Sequence, residues 1–182
     1  MPKIEAQAQD YLAETIYALG HEGLLLASVA ATGKPNAMAI GWGQIGVMWG
    51  RPILVVPVRF SRYTFECIEH TKDFTVNVAP AELAWLVEFC GTCSGRERDK
   101  FAEKGLLATP GQHVKSPIIE QCVIHYECRV VGFTNVEEKN ISAQVREECY
   151  PQGNFHRLYY GQVLRVCADA DARQRVSLAK AK

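Results

Sequence analysis

The sequence has no net charge and no long apolar run, and each absence excludes a class of protein. Among its 182 residues, 20 Lys and Arg balance 20 Asp and Glu. Without a basic excess, nucleic acid is not expected as a partner. Apolar runs such as residues 53–58, ILVVPV, are far too short to cross a bilayer, so no membrane contact is expected either. Any anion that the chain binds is therefore expected to be small and held locally.

A secretion signal and a disulfide framework are also missing from the pattern. Three acidic residues, Glu5, Asp10 and Glu14, interrupt the hydrophobic positions near the N-terminus, so no signal peptide is expected. The 7 cysteines are odd in number and scattered from Cys67 to Cys167, so a disulfide framework is not expected. We predict a cytoplasmic protein in which most cysteines are buried thiols.

One close cysteine pair, Cys90-x-x-Cys93, raises the alternatives of a metal site or a redox dithiol. No second pair of this kind and no spaced histidine pair accompanies it, so no metal site is predicted. A thioredoxin-type dithiol would adjoin a βαβ pattern, which is absent. Cys93 is the better candidate for partial exposure beside cations, which would lower its pKa and allow selective alkylation.

The pattern along the chain predicts one domain, residues 1–182, of mainly β structure with inserted helices. An N-terminal helix is expected over about residues 4–19, a barrel over about 20–168 and a loosely held polar tail over 170–182. There is neither an alternating βα rhythm nor a GxGxxG motif, so a doubly wound nucleotide-binding fold is disfavoured. Strands joined by turns indicate an antiparallel sheet that closes into a barrel or sandwich.

The individual elements follow from hydrophobic periodicity and from turn residues. Strands are predicted at residues 24–31, 37–43, 44–50, 53–60, 73–78, 116–138 (one strand or two) and 155–169. Helices are predicted at residues 61–71 and 80–89. Pro57 lies within a predicted strand, which indicates a sheet edge or a bulge there.

The segment GTCSGRERDKF, residues 91–101, has the pattern of a helix start. Ser94 and Glu97 fit a capping box, with Ser94 as the N-cap. The helix would cover residues 96–104 and end at Gly105. Such starts are common, so the pattern by itself is explained by an ordinary cap.

Two cations in this segment suggest a bound anion as a second interpretation. Arg96 and Lys100 lie four residues apart at the positive end of the expected helix, where an anion would offset their repulsion. Residues 59–64, RFSRYT, also place hydroxyls and cations at a helix start. Two such starts could converge on one phosphate, whereas surface charge is the ordinary alternative for the second segment.

Five segments together resemble a known family. In chain order they are NAMAIGW (36–42), RFSRYT (59–64), DFTVNV (73–78), GTCSGRERDKF (91–101) and HRLYYGQV (156–163). This order resembles that of the flavin reductase-like proteins, an FMN-binding split-barrel family, and within it the flavoredoxin branch. The resemblance covers about residues 20–168. It implies a six-stranded antiparallel Greek-key barrel and a homodimer with one FMN per subunit near the dimer interface.

The resemblance also implies a set of site residues. The isoalloxazine ring would lie along Ala39, Ile40, Gly41 and Trp42, with Asn77 facing it. The other implied cofactor-binding residues, most of them at the phosphate, are Arg59, Ser61, Arg62, Thr64, Thr92, Ser94, Gly95, Arg96 and Lys100. His156, which forms a family pattern with Gly161, would lie on the nicotinamide or substrate side, and no other catalytic side chain is required.

Ordinary interpretations remain for several of these residues. Trp42 could be a core or interface aromatic, Asn77 a solvated position and His156 a surface residue. Ala39 departs from the family pattern, which most often has Thr or Ser at this position. The departure removes one side-chain hydrogen bond to the ring, so the affinity and redox poise of the flavin are in question.

The function implied by the resemblance is that of an FMN-dependent oxidoreductase with NADH or NADPH as electron donor. An alternative is a flavoredoxin-like electron-transfer protein, which binds FMN but takes its electrons from a redox partner protein. A third alternative is a flavin-storing or purely structural dimer. The sequence shows no separate nucleotide-binding domain, so the first two remain open.

Overall fold

An antiparallel β-sheet dominates the fold of this chain. The computed structural model describes residues 3–177. The strands are β1 (Lys3–Ala6), β2 (Leu24–Val29), β3 (Pro35–Ile40), β4 (Gln44–Met48), β5 (Arg51–Arg59), β6 (Asp73–Val78), β7 (Ala108–Thr109), β8 (Ile118–Ile119), β9 (Ile124–Asn135) and β10 (His156–Asp169). The helices are α1 (Leu12–Gly20), α2 (Tyr63–Thr71), α3 (Ala84–Thr92), α4 (Lys100–Lys104), α5 (Ala143–Cys149) and α6 (Ala172–Ser177).

The large sheet contains eight strands in an open order. Seven are hydrogen-bonded in the order β3-β2-β6-β9-β10-β5-β4, and β1 pairs with the distal half of β10. Two hairpins, β2–β3 and β4–β5, therefore flank the three central strands. Within the described residues the terminal strands β3 and β4 do not pair with each other, as in a split barrel. The expected mainly β split-barrel fold is confirmed, with eight strands in the sheet rather than six.

The inward face of the sheet holds the main hydrophobic core. On β9, Ile124, Tyr126 and Cys128 point into this core, while the alternate residues His125 and Glu127 lie on the outer face. This alternation is the two-residue period of a strand. Each strand therefore contributes one row of side chains to the interior.

A second hydrophobic cluster covers the outer face of the β2–β3 hairpin. Leu25 and Ala37 of the hairpin pack there against Leu86 and Cys90 of α3 and Phe101 of α4. Burying these apolar side chains holds both helices against the hairpin. The loop between α3 and α4 is thereby positioned beside β3.

The N-terminal segment differs from the helix expected over residues 4–19. Lys3–Ala6 form β1, and Ile4 pairs with Ala168 of β10. Lys3 Nζ donates to the Cys122 carbonyl at 2.6 Å and forms an ion pair with Asp169 at 3.0 Å. Because these long-range contacts outweigh the weak helical preference of the segment, the helix begins only at Leu12.

The C-terminal tail also differs from the expectation of a loosely held segment. Ala172 and Val176 of α6 are buried in the main core. Arg175 forms ion pairs with Asp169 and Glu82, which fasten this helix to the rest of the chain. The remainder of the predicted tail, residues 178–182, lies outside the described residues. Among residues 3–177, no helix is both long and apolar enough to cross a membrane.

Gly161 occupies a position on β10 where no side chain fits. An added Cβ would lie 2.4 Å from Phe74 Cζ and 2.9 Å from Cys128 Cβ, both inside the barrel. The glycine is therefore required by packing between strands.

We predict that Gly161→Ala lowers the free energy of unfolding by about 1–3 kcal/mol, because the Phe74 ring must move to make room. Urea denaturation followed by circular dichroism measures this. Gly132→Ala is the matched control, since a Cβ on this β9 residue comes no closer than 3.4 Å to another side chain, which is an ordinary contact. Equal stability of the two variants would contradict the packing role of Gly161.

Candidate functional site

Two adjoining cavities lie where β3 meets the start of α2. The first, called here the cationic cavity, has a volume of about 250 Å³. It is lined by Asn36, Met38, Ala39, residues 61–64, Cys90, Gly91, residues 93–97 and Lys100. The second, called the aromatic cavity, measures about 180 Å³ and is lined by residues 38–42, Pro57, Arg59, Arg62 and His156. Met38, Ala39 and Arg62 line both, so the two cavities form one continuous site.

Lys100 brings a buried positive charge to the cationic cavity. Its side chain is only 4% exposed, and Nζ donates to the carbonyls of Ala37 at 2.8 Å and Cys90 at 2.7 Å. Within residues 3–177 no carboxylate forms an ion pair with it. Burial lowers the pKa of this ammonium, because the charged form loses its hydration. An ammonium has three donors, so one remains for an anion in the cavity.

Arg62 supplies a second cation at the junction of the two cavities. It is the N-cap residue of α2, and within the described residues no side chain caps the first turn of that helix. Phe65 N donates to the Arg62 carbonyl at 3.0 Å, so the N–H groups of Tyr63 and Thr64 are the ones available to a bound group, at the end of the helix that carries positive partial charge. Among the described residues, no carboxylate pairs with the Arg62 guanidinium. Both features favour an anion at this end of the site.

The loop before α4 differs from the predicted helix start. The helix begins at Lys100, and its N-cap is Asp99, whose Oδ1 accepts a hydrogen bond from Ala102 N at 3.0 Å. Ser94 Oγ accepts instead from Arg96 N at 3.2 Å, within a turn. The predicted capping box is therefore wrong, because the Asp99 carboxylate, and not the Ser94 hydroxyl, caps α4. The helix ends at Gly105 as predicted, with a left-handed φ of 62°.

Arg96 joins the two segments that were expected to converge. Its guanidinium forms an ion pair with Glu66 of α2 and donates to the Ser61 carbonyl at 2.9 Å. It also lies over the Tyr63 ring, 5.5 Å from the ring centroid. Residues 59–64 and 91–101 therefore lie side by side, as convergence on one phosphate would require. Because Glu66 already neutralises the charge of Arg96, we assign Arg96 to the wall of the cavity rather than to anion binding.

Gly95 lets the loop approach β3 closely. A Cβ at Gly95 would lie 2.0 Å from Asn36 Oδ1 and 3.0 Å from the Tyr63 ring. Asn36 in turn donates to the Thr64 hydroxyl at 2.8 Å. Any side chain at position 95 would therefore push the loop away from the strand and open the cavity.

His156 and Trp42 form the wall of the aromatic cavity. Their ring centroids lie 5.1 Å apart, and Trp42 is 46% exposed. Burial, followed by the nearby Arg59 and Arg62 charges, lowers the pKa of His156 to about 4. The imidazole is therefore neutral at pH 7. Trp42 is an open aromatic face rather than a core residue, and His156 is a buried wall residue rather than a surface one.

The end of the β4–β5 pairing opens the aromatic cavity. β4 pairs with β5 only as far as Val55, so Pro57 has no strand partner on that side within the described sheet. Proline has no N–H to leave unpaired at such an edge. This confirms that Pro57 marks a sheet edge and explains why the cavity lies there.

Arg59 holds the segment that follows α5 against the cavity. Its guanidinium donates to the carbonyls of Asn154 at 2.6 Å and Cys149 at 3.1 Å. Asn154 also donates to the Ser61 hydroxyl at 3.0 Å. Both Arg59 and Ser61 therefore line the site but have protein partners of their own.

Two predicted site residues, Asn77 and Thr92, and the family-pattern residue Gly161 lie elsewhere. Asn77 is fully buried, and its Oδ1 accepts from Ile119 N at 3.1 Å and contacts His125 Nδ1 at 2.8 Å. The alternation of its strand was interpreted correctly, but the β8 segment covers the outer face that was expected to be open. Thr92 donates to the Phe89 carbonyl at the end of α3, and Gly161 lies inside the barrel. None of the three lines either cavity.

The two cysteines of the close pair both line the cationic cavity. Cys93 is half-buried, as predicted, whereas Cys90 is buried and burial raises its pKa to about 11. All 7 cysteines lie within the described residues and are free thiols. Among residues 3–177, no group of three or more His, Cys, Asp or Glu side chains could hold a metal ion.

Sequence reasoning missed two features of the site. Met38, which lines both cavities, was interpreted only as a strand residue. Helix α5 was not predicted, and so Tyr150 at its end was not linked to the site. The signal was present in Ser142, whose Oγ caps this helix by accepting from Val145 N at 3.3 Å.

Known proteins resemble this chain in sequence and in fold. A family model described as "Flavin reductase like domain" matches residues 20–179. An uncharacterized protein of Archaeoglobus fulgidus is 34% identical over 138 residues, which cover 76% of this chain and 68% of that protein. The uncharacterized protein YddH of Escherichia coli K12 is 32% identical over 141 residues, with 75% and 64% coverage. This chain therefore spans about two thirds of the length of both relatives.

Among solved structures, a flavoredoxin from Methanosarcina acetivorans superposes with a TM-score of 0.65 at 27% identity, over 82% of this chain and 69% of that one. The family match covers well over half of the sequence. The chain therefore belongs to the flavin reductase-like family, as its five motifs predicted.

Proposed function

We propose that this member of the flavin reductase-like family binds FMN in its two joined cavities and works as an NAD(P)H-dependent oxidoreductase of the flavin reductase type. The phosphate would occupy the cationic cavity and the isoalloxazine ring the aromatic cavity. When bound, FMN would supply the electron-transfer chemistry. The protein would supply binding, orientation and electrostatics.

The observation that carries this proposal is the buried ammonium of Lys100. A buried charge without a counter-ion is costly, so its retention indicates that an anion normally completes the site. The Arg62 guanidinium and the first turn of α2 point to the same cavity. A phosphate can accept hydrogen bonds from all three groups at once.

The aromatic cavity fits a planar ring. Residues 39–42 form one wall with small side chains at Ala39 and Gly41, so a flat group can approach the strand backbone closely. Backbone groups there would replace the hydroxyl that Ala39 lacks. Arg59 and Arg62 lie beside this cavity and would stabilise negative charge on the reduced ring.

A flavoredoxin-like electron carrier is the second candidate. The likeness to the Methanosarcina acetivorans flavoredoxin favours it. The same two cavities would serve, but electrons would come from a redox partner protein. The free thiols agree with a reducing compartment such as the cytoplasm, which suits either function.

Anaerobic mixing distinguishes the two candidates. We expect FMN-loaded protein to lose its visible flavin absorbance rapidly after NADH or NADPH is added. Bleaching by neither nucleotide, but by a reduced protein donor, would support the carrier and refute the reductase. A protein that FMN cannot reconstitute would refute both.

The phosphate assignment is tested by comparing FMN with riboflavin, which lacks the phosphate. We expect Lys100→Met and Arg62→Ala each to raise the Kd for FMN by about 10- to 100-fold, the loss of one charged hydrogen bond. The Kd for riboflavin should change by less than about threefold, because riboflavin has no phosphate for these cations to bind. Flavin fluorescence quenching measures both constants.

Lys104→Gln is the control, because this exposed lysine of α4 lies over the Phe89 ring and outside the cavity. Arg62 makes no ion pair among the described residues, so its variant keeps the test valid if Lys100→Met folds poorly. Equal weakening of FMN and riboflavin would contradict the phosphate role.

We further propose that the apolar face of α1 and β4 binds a second copy of the chain. This face surrounds a hollow of about 470 Å³, and none of its described lining residues is Asp, Glu, Lys or Arg. Val47 is 81% exposed on the face, and Ile16 is also exposed. Exposed apolar surface of this kind favours association. Ile40 lines both this hollow and the aromatic cavity, so the dimer interface would border the ring site.

Sedimentation velocity tests the dimer. We expect the wild-type chain to sediment as a dimer and Val47→Glu to raise the dissociation constant at least about 100-fold, because a charge would be buried without a partner. Val131→Glu is the control, since this exposed valine of β9 lies away from the face. A monomeric wild type, or equal effects of the two substitutions, would refute the interface.

A further inference from the structure

The segment after β9 carries a tyrosine to the edge of the aromatic cavity. Tyr150, at the end of α5, is buried, and its ring lies 5.2 Å from the Arg59 guanidinium. Arg59 also holds the carbonyls of Cys149 and Asn154 on either side of it. The Phe155 ring packs at 4.9 Å. The Tyr150 hydroxyl is therefore held in one place.

This hydroxyl contacts one nitrogen of His156. The distance from Tyr150 Oη to His156 Nδ1 is 2.8 Å. Among residues 3–177 the hydroxyl has no other hydrogen-bond partner. If Nδ1 carried the proton, the buried hydroxyl hydrogen would be left without an acceptor, which is costly. Tyr150 is therefore the donor and Nδ1 the acceptor.

The remaining nitrogen of His156 faces the cavity. The imidazole is neutral at pH 7, so a proton-free Nδ1 requires the proton on Nε2. No residue of the described chain hydrogen-bonds Nε2, and this atom is not among the buried atoms without partners. Because the ring lines the aromatic cavity, Nε2 is accessible from there. The cavity thus contains a neutral N–H donor beside the open face of Trp42.

We propose that Tyr150 is a positioning residue that holds His156 in its Nε2–H tautomer, so that His156 donates a hydrogen bond to a carbonyl oxygen of an electron acceptor that stacks on the bound flavin ring at the mouth of the aromatic cavity. A quinone has the required chemistry, since its flat apolar ring can stack on the open side of the flavin ring, next to the exposed Trp42, while its carbonyl accepts the hydrogen bond. The acceptor role rests on the proposed FMN function, whereas the tautomer does not.

The reaction balances without a proton from the histidine. Conversion of a quinone to a hydroquinone takes up two electrons and two protons. A reduced flavin would supply the two electrons, and the flavin and solvent would supply the two protons. His156 stays neutral and polarises the carbonyl that receives charge.

The tautomer is tested by long-range proton–nitrogen NMR on protein labelled with ¹⁵N-histidine, with and without FMN. His156→Gln assigns the signal among the 5 histidines. We expect a protonated Nε2 and an unprotonated Nδ1 in the wild type, and a mixture of tautomers in Tyr150→Phe, which keeps the packed ring. A protonated Nδ1 in the wild type, or an unchanged Tyr150→Phe spectrum, overturns the proposal. Because the tautomer can be measured on FMN-free protein, this test remains valid even if the chain binds no flavin.

The donor role is tested on protein loaded with FMN and reduced by titration with dithionite, so no NAD(P)H turnover is needed. We expect Tyr150→Phe to slow reoxidation by menadione, a quinone, by about 2- to 10-fold, the value of one hydrogen bond. Reoxidation by ferricyanide, which has no carbonyl, should be unchanged. Tyr160→Phe is the matched control, because its hydroxyl bonds Thr134 at 2.8 Å away from the cavity. Equal slowing of both acceptors, or of neither, overturns the donor role.

Discussion

The structure around the site depends on one interaction, the contact of the Lys100 ammonium with two backbone carbonyls. Ala37 belongs to β3 and Cys90 to α3, while Lys100 itself begins α4. One side chain thus joins a barrel strand to both helices that cover it. The charge is buried to make this connection, and the cost of burying it is reduced when an anion occupies the adjoining cavity. If the proposed anion binds there, folding and ligand binding share one group.

The second half of the site depends on an unpaired strand edge. β5 continues past the end of β4, and from Pro57 onward its outer edge has no strand beside it in the described sheet. The cavity at this edge receives side chains from β3, β5 and β10, which lie far apart in sequence. Arg59 then holds the segment after α5 beside this cavity, because its guanidinium donates to the Asn154 carbonyl and lies over the Tyr150 ring.

Most of the barrel could be predicted because its strands alternate, and because Pro57 and Gly105 have restricted or special backbone geometry. Phe74, Val76 and Val78 share the inward face as expected. Prediction failed where local preference competed with distant contacts. The first residues of the expected N-terminal helix instead form β1, which pairs with β10. Asp99, rather than the expected Ser94, caps α4.

By itself, the sequence determined the family, the strand order along the chain and the residue types that form the cationic cavity, because these are local patterns in a fixed order. Only the tertiary structure decided which cations remain available. Arg96 is neutralised by Glu66, and Asn77 is covered by the β8 segment. Lys100 is buried, and no carboxylate in residues 3–177 pairs with it. Pairing and burial depend on residues from distant elements, so no spacing within one segment can reveal them.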